Sequence, residues 1–188
     1  MTRSIVLMMN LSLDGFLEGP NREIDWHAIS EELHADFNAY IATASLTLSG
    51  RVTHELMASF WPTADQDPAN SGATAEYAGI WRDMPKYVYS RTLKPGPTDW
   101  NTTVVPEVVP DEVRALKEQP GGDILLGGAD LAATFLRHDL VDEFPIYIQP
   151  IVLGRGKRLF AESDAKTALT LSGTRTFGNG VVLLKYRR

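Results

Sequence analysis

Two stretches of this sequence set glycine where a strand pattern turns into a helix pattern, the first with hydroxyls and an arginine beside it. The first is Thr47-Leu48-Ser49-Gly50-Arg51-Val52-Thr53, the second Ile124-Leu125-Leu126-Gly127-Gly128-Ala129-Asp130. Glycine lets a backbone come close to a phosphate, and the unpaired N–H groups of a helix start attract an anion. Two such junctions in one sheet would hold the two ends of a pyrophosphate. Either one alone would equally serve as an ordinary tight turn. A third junction, Val88-Tyr89-Ser90-Arg91-Thr92, ends a strand on a hydroxyl and a guanidinium. Ligands of open α/β sheets bind outside the carboxyl ends of the strands, where Arg51, Ser90 and Arg91 would all sit. The arginine fork matches a phosphate monoester bidentately, although singly each arginine would also pass as a solvated surface group.

The elements that must position these groups follow from pattern and punctuation. Ser4–Met9 reads as a buried strand, followed by turns at Asp14-Gly15 and Gly19-Pro20-Asn21. Leu33, Phe37, Tyr40 and Ile41 repeat at helical spacing, so Ser30–Ala42 is expected to be a helix with Glu31 and Glu32 in its favourable first turn. Leu46–Leu48 is a strand and Val52–Ser59 a helix. Trp61–Thr74 is polar and aperiodic and reads as a long loop, a length often tied to function. Lys86–Ser90, Thr102–Val105, Asp123–Leu126 and Glu143–Ile148 read as strands. Pro110–Lys117 and the segment from Gly128 to His138 read as helices. Ala168–Phe177 and Val181–Tyr186, joined by Gly178-Asn179-Gly180, form a closing hairpin. Alternating strands and helices predict an α/β fold with a mixed, mostly parallel sheet and helices on both faces. Ser4–Met9, Leu46–Leu48, Lys86–Ser90 and Asp123–Leu126 should be its neighbouring central strands.

Composition narrows the chemistry. The 188 residues suffice for one domain, 1–188, with a sizeable core. The sequence contains no cysteine, which excludes disulfides, thiolate metal sites and the cysteine-ligated zinc of nucleobase deaminases. His27, His34, His54 and His138 lack metal-ligand spacing, so no metal is expected. The net charge of −6 argues against a nucleic-acid partner, and no apolar run approaches the roughly 18 residues of a membrane span. A cytoplasmic location is expected.

The ordered segments resemble the dihydrofolate-reductase-like superfamily. They are most similar to the reductase domain of the two-domain riboflavin-biosynthesis deaminase–reductase, the RibD C-terminal type. The resemblance rests on Asn10-Leu11-Ser12-Leu13-Asp14-Gly15-Phe16, Asp25-Trp26, Leu48-Ser49-Gly50-Arg51-Val52-Thr53, Tyr89-Ser90-Arg91 and Leu126-Gly127-Gly128-Ala129. It continues through Asp142-Glu143-Phe144 and Pro150-Ile151-Val152-Leu153-Gly154-Arg155-Gly156-Lys157 to Leu159-Phe160. It implies a three-layer fold that binds NADPH. Gly50, Arg51, Thr53, Gly127, Gly128 and Ala129 would hold phosphates, and Ser90 and Arg91 would lie near the adenosine 2′-phosphate. Asp14 and Trp26 would face a small-molecule substrate of pterin or pyrimidinone type. The activity implied is hydride transfer from NADPH. The substrate ring also needs a proton, for which the resemblance points to a carboxylate on the first long helix. Glu31, Glu32 and Asp36 are the local candidates; Asp36 is the first choice and Asp14 the second. A dinucleotide- or ligand-binding module without turnover is the alternative. A homodimer is expected, because Phe144-Pro145-Ile146-Tyr147-Ile148 carries bulky groups at successive positions and both its faces need cover.

Overall fold

Ile5-Val6-Leu7 and Ile124-Leu125-Leu126 show no polar alternation, as strands covered on both faces require. The computed structural model describes residues 2–160 and 166–188 and sets these two runs side by side. The chain proceeds through β1 (Ile5–Leu7), β2 (Met9–Ser12), β3 (Phe16–Glu18), α1 (Glu31–Ile41), β4 (Ala44–Gly50) and α2 (Arg51–Ala58). A 3-10 helix (Trp61–Gln66), α3 (Gly72–Asp83), β5 (Lys86–Tyr89), β6 (Gly96–Thr98), β7 (Thr102–Val105) and α4 (Pro110–Lys117) follow. Then come β8 (Asp123–Gly127), α5 (Ala129–Arg137), β9 (Glu143–Gln149), β10 (Lys157–Arg158), β11 (Thr170–Thr176) and β12 (Val182–Arg187). The main sheet runs in the order β11-β12-β9-β1-β8-β4-β5-β7-β6, with β2 continuing along β9, and β3 pairs with β10 in a separate ribbon. The four expected central strands are neighbours, all parallel, and the closing hairpin β11–β12 is antiparallel.

The first strand extends to Ser12 and is interrupted at Met8. The register on either side, Val6 with Glu143 and Met9 with Ile146, sets the gap against Pro145. Proline has no N–H to give a ladder, which accounts for the break. One core cluster joins Ile5, Leu7, Leu48, Ile124, Leu126 and Phe135 beneath α4 and α5. The other joins Leu33 and Phe37 of α1 to Tyr147, Phe177 and Leu183. Phe144 and Ile146 enter the first cluster and Tyr147 the second, so this chain itself covers both faces of β9. That removes the reason for which a partner subunit was expected there. The exposed strand is instead β11, whose Leu171 is 51% exposed.

The Trp61–Thr74 segment is not a loop. It holds the 3-10 helix and the start of α3, a helix that periodicity does not reveal because small residues and Gly72 and Gly79 dilute its pattern. The start of α3 has no side-chain cap of its own. The Glu31 carboxylate of α1 accepts from Ala73 N at 2.7 Å instead, a cap supplied from 42 residues away.

At the start of β5, Lys86 is 3% exposed, donates to the Met84 and Trp100 carbonyls, and lies over the Trp81 ring. Burial lowers its pKa to about 8. The folded protein thus releases this proton more readily than the unfolded chain. Its cost is full below pH 8 and is shed as pH rises toward the unfolded value. Between pH 8 and pH 9.5 stability should climb by about 1.5 kcal/mol from this group. Denaturant titrations of the native protein and Lys86→Met check it: the climb should vanish in the variant, and equal slopes in both would contradict it.

Candidate functional site

The carboxyl ends of β4, β5, β7 and β8 border a cavity of about 510 Å³. Gly50 and Tyr89 are register partners, as are Ser49 and Gly127, so the three junctions singled out in the sequence stand in a row. Gly128 has φ +90, and a Cβ there would lie 2.6 Å from Thr53 Oγ1 and 3.7 Å from Gly50 N. The two glycine turns therefore pack against each other. At Gly50 the backbone is ordinary (φ −80) and a Cβ would meet nothing within 4 Å. Open space there, beside the first N–H groups of α2, can admit an anion. Gly50, Arg51, Thr53, Ser90, Arg91, Gly128 and Ala129 all line the cavity; Gly127 stands one residue behind, in the strand.

The lining carries five cations, Arg22, Arg51, Arg91, Arg137 and Lys157, against Glu18, Glu107 and Asp130. The positive excess suits a polyanion despite the net charge of −6. Arg51 is paired with Glu55 and Lys157 with Asp130; among the described residues Arg22, Arg91 and Arg137 have no ion pair. Ser90 is buried, and its Oγ accepts from Thr92 N and Leu93 N, so it shapes the turn that presents Arg91. Arg22, Arg137 and Lys157 were not singled out in the sequence. Arg137 follows Asp130 and Thr134 on one face of α5, so helical spacing from Gly128 could have found it. Arg22 and Lys157 reach the cavity through the β3–β10 side, a long-range pairing that no local pattern encodes.

A second cavity of about 600 Å³ lies where α1, the end of α2, the 3-10 helix and α3 converge on Met8 and β2. Phe37, Met57, Phe60, Trp61 and Tyr77 supply its apolar walls; Asn10, Glu31, His34, Asn38 and Thr74 supply its polar groups. α2 starts in the first cavity at Arg51 and reaches the second at Met57. At 1.5 Å per residue that is about 9 Å. His34 meets the edges of Trp61 and Tyr77, and burial lowers its pKa, with Glu31 and Glu76 opposing. Asn38 is 1% exposed; its Nδ2 donates to Ala73 O and Glu76.

The remaining site candidates lie elsewhere. Asp36 does not line either cavity. Its carboxylate pairs with Arg175 at 2.5 Å and accepts from Tyr147 Oη at 3.0 Å, on the side of α1 that meets β9 and β11. The polar groups of α1 that reach a cavity are Glu31, His34 and Asn38, spaced by one turn or two. Trp26 donates to Glu23 O and closes a local turn. Asp14 accepts from Ser12 Oγ, Leu153 N and Gly154 N, and those hydrogen bonds, Ser12's first, bring its pKa down to about 2. It is a carboxylate throughout the neutral range and anchors the Pro150–Gly156 segment. Asp14→Ala should speed amide hydrogen exchange at Leu153 and Gly154 by at least about tenfold while the central strands stay protected. Unchanged exchange at those two amides would refute the anchor.

The RibD C-terminal domain profile matches residues 3–183. The chain belongs to the RibD C-terminal domain family. One relative is the uncharacterized protein YyaP of Bacillus subtilis (strain 168), 36% identical over 98% of this chain and 94% of YyaP. Among solved structures, the putative riboflavin biosynthesis protein of Shewanella sp. PV-4 superposes with a TM-score of 0.74 at 20% identity, covering 98% of each chain. The diaminohydroxyphosphoribosylaminopyrimidine deaminase/5-amino-6-(5-phosphoribosylamino)uracil reductase of Thermotoga maritima superposes with a TM-score of 0.67 at 14% identity. This RibD C-terminal domain covers 99% of its own length and 56% of that protein. The structural likenesses establish the shared fold. No helix among the described residues is long and apolar enough to cross a membrane.

Proposed function

We propose that this protein is an NADPH-dependent reductase of a small, flat heterocycle of pterin or pyrimidinone type. The observation that carries the reading is the pairing of two cavities: a cation-lined one at the strand ends and an aromatic one a helix length away. Gly50, Thr53, Gly128 and Ala129 would hold the pyrophosphate, and Arg91 and Arg51 the 2′-phosphate. NADPH, when bound, supplies the hydride. The protein's own contribution is to orient the two molecules and keep the aromatic cavity dry. The Thermotoga maritima protein of the same fold is a reductase of a phosphoribosylated uracil, which supports the reaction class. A binding module without turnover is the second reading, favoured by the engagement of Asp36 with Arg175 and of Asp14 with backbone N–H groups. Absorbance of NADPH at 340 nm, followed against a panel of pterins and pyrimidinones, separates the two. The reductase reading expects oxidation that depends on the added heterocycle. NADPH binding with no oxidation across the panel would leave the binding module. We also propose a homodimer, formed through the closing hairpin whose strand β11 is exposed rather than through β9; a monomer by light scattering at micromolar concentration would remove that part alone.

A further inference from the structure

The two cavities differ in charge as sharply as in shape. The cation-lined one holds three of its arginines and Lys157 from elements scattered along the chain. The aromatic one is built from a stretch with almost no positive charge. Between Glu23 and Trp81 the only lysine or arginine is Arg51, and Arg51 lines the other cavity, paired with Glu55. The next arginine, Arg82, is held by both oxygens of Asp65 at 2.8 and 2.7 Å. Residues 161–165 contain no lysine or arginine. Among the described residues the charged side chain in the aromatic cavity's lining is the Glu31 carboxylate; Asp65, paired with Arg82, and Glu76, which accepts from Asn38 Nδ2, lie on the neighbouring helices outside the lining.

His34 does not alter this balance. It packs against Trp61 and Tyr77, and burial lowers its pKa, which favours its uncharged form. A phosphate placed in this cavity would carry nearly two negative charges into an apolar-walled space whose one charged lining group is the Glu31 carboxylate. No charge-assisted hydrogen bond from a cation among the described residues would offset the loss of its hydration. A neutral planar ring meets different conditions. Phe37, Phe60, Trp61 and Tyr77 offer faces and edges for stacking, and Asn10, His34 and Thr74 offer neutral donors and acceptors for a ring's amide edge.

We propose that the aromatic cavity takes an uncharged heterocycle or nucleoside and selects against its phosphorylated form. This inference rests on the reading of the two cavities as cofactor and substrate sites. It adds that the substrate carries no phosphate, so the reaction that supplies it must deliver a free ring or a dephosphorylated riboside. Glu31 is a specificity-determining group here, acting by repulsion.

The test uses the full chain saturated with NADPH and titrated calorimetrically with three probes. These are 7,8-dihydropterin, 5-amino-6-(ribosylamino)uracil and 5-amino-6-(5-phosphoribosylamino)uracil. At least one neutral probe should bind about tenfold or more tighter than the phosphorylated one at low salt, and added salt should narrow the gap. Glu31→Gln keeps an oxygen for the Ala73 N–H and should narrow the gap as well, chiefly by improving the phosphorylated probe. Phosphorylated probe bound as tightly as both neutral ones, or none of the three bound while NADPH is, would overturn the inference and leave the cofactor reading standing. Failure of NADPH itself to bind in the first step would mark the failure of that underlying reading.

Discussion

Gly128→Val should weaken NADPH and NADH alike by about 10- to 100-fold, the scale of losing one charge-assisted contact to the shared pyrophosphate. Two causes act together. Gly128 sits at φ +90, which a β-branched residue reaches only with strain. Its new Cβ would also fall 2.6 Å from Thr53 Oγ1, so the start of α5 or of α2 must shift. Because that shift also costs stability, Gly50→Ala is the cleaner companion. There the backbone suits alanine and the new methyl meets no protein atom within 4 Å. Gly50→Ala should leave unfolding stability within about 1 kcal/mol, because alanine's poorer N-cap offsets the entropy removed from the unfolded chain, while still weakening both dinucleotides. A folded Gly50→Ala variant with unaltered dinucleotide affinity would show that the space at Gly50 belongs to no phosphate.

Arg91→Ala should behave in the opposite way toward the two cofactors. NADPH and NADH differ by one phosphate on the adenosine ribose. Removing one arginine that contacts it should cost about 1.5–3 kcal/mol for NADPH, or about 10- to 100-fold, and little for NADH. Arg91 is the stronger choice over Arg51 because it has no ion pair among the described residues, whereas Arg51 must loosen its bond to Glu55. Ser90 holds the turn beneath Arg91, so Ser90→Ala should reproduce part of the effect without removing any charge. Isothermal titration of both variants with both dinucleotides checks this. An Arg91→Ala variant that loses NADPH and NADH equally would move the arginine from the 2′-phosphate to the shared part of the molecule.

The sheet was legible because β1 and β8 carry apolar runs and β4 and β8 close on glycine, and both features are local. The same locality made the phosphate turns readable: Ser49-Gly50-Arg51 and Gly127-Gly128 state their strand–turn–helix context in consecutive residues. What escaped the sequence depends on distant partners. α3 is capped by Glu31 and carries too many small residues to show a period. Asp36 lies near the border of the apolar stripe of α1, and periodicity alone cannot say which border faces a cleft. Arg175, 139 residues away, decides it. Asp14 reads as a turn residue or a cleft residue until Leu153 and Gly154 are brought to it by the fold. The aromatic cavity was hidden for a related reason. Its walls come from Phe37, Met57, Trp61 and Tyr77, one helix apart from the next, and the segment that supplies Trp61 looked like a loop.

The most direct measurement of the account is the affinity of the unmutated protein for NADPH and for NADH, followed by quenching of tryptophan emission at fixed ionic strength. Two arginine contacts to the 2′-phosphate would contribute roughly 3–6 kcal/mol, so NADPH should bind tighter by about two to four powers of ten. The difference should shrink as salt is added. Equal affinity for the two dinucleotides would contradict the assignment of Arg91 and Arg51, and binding of neither would contradict the cofactor site itself.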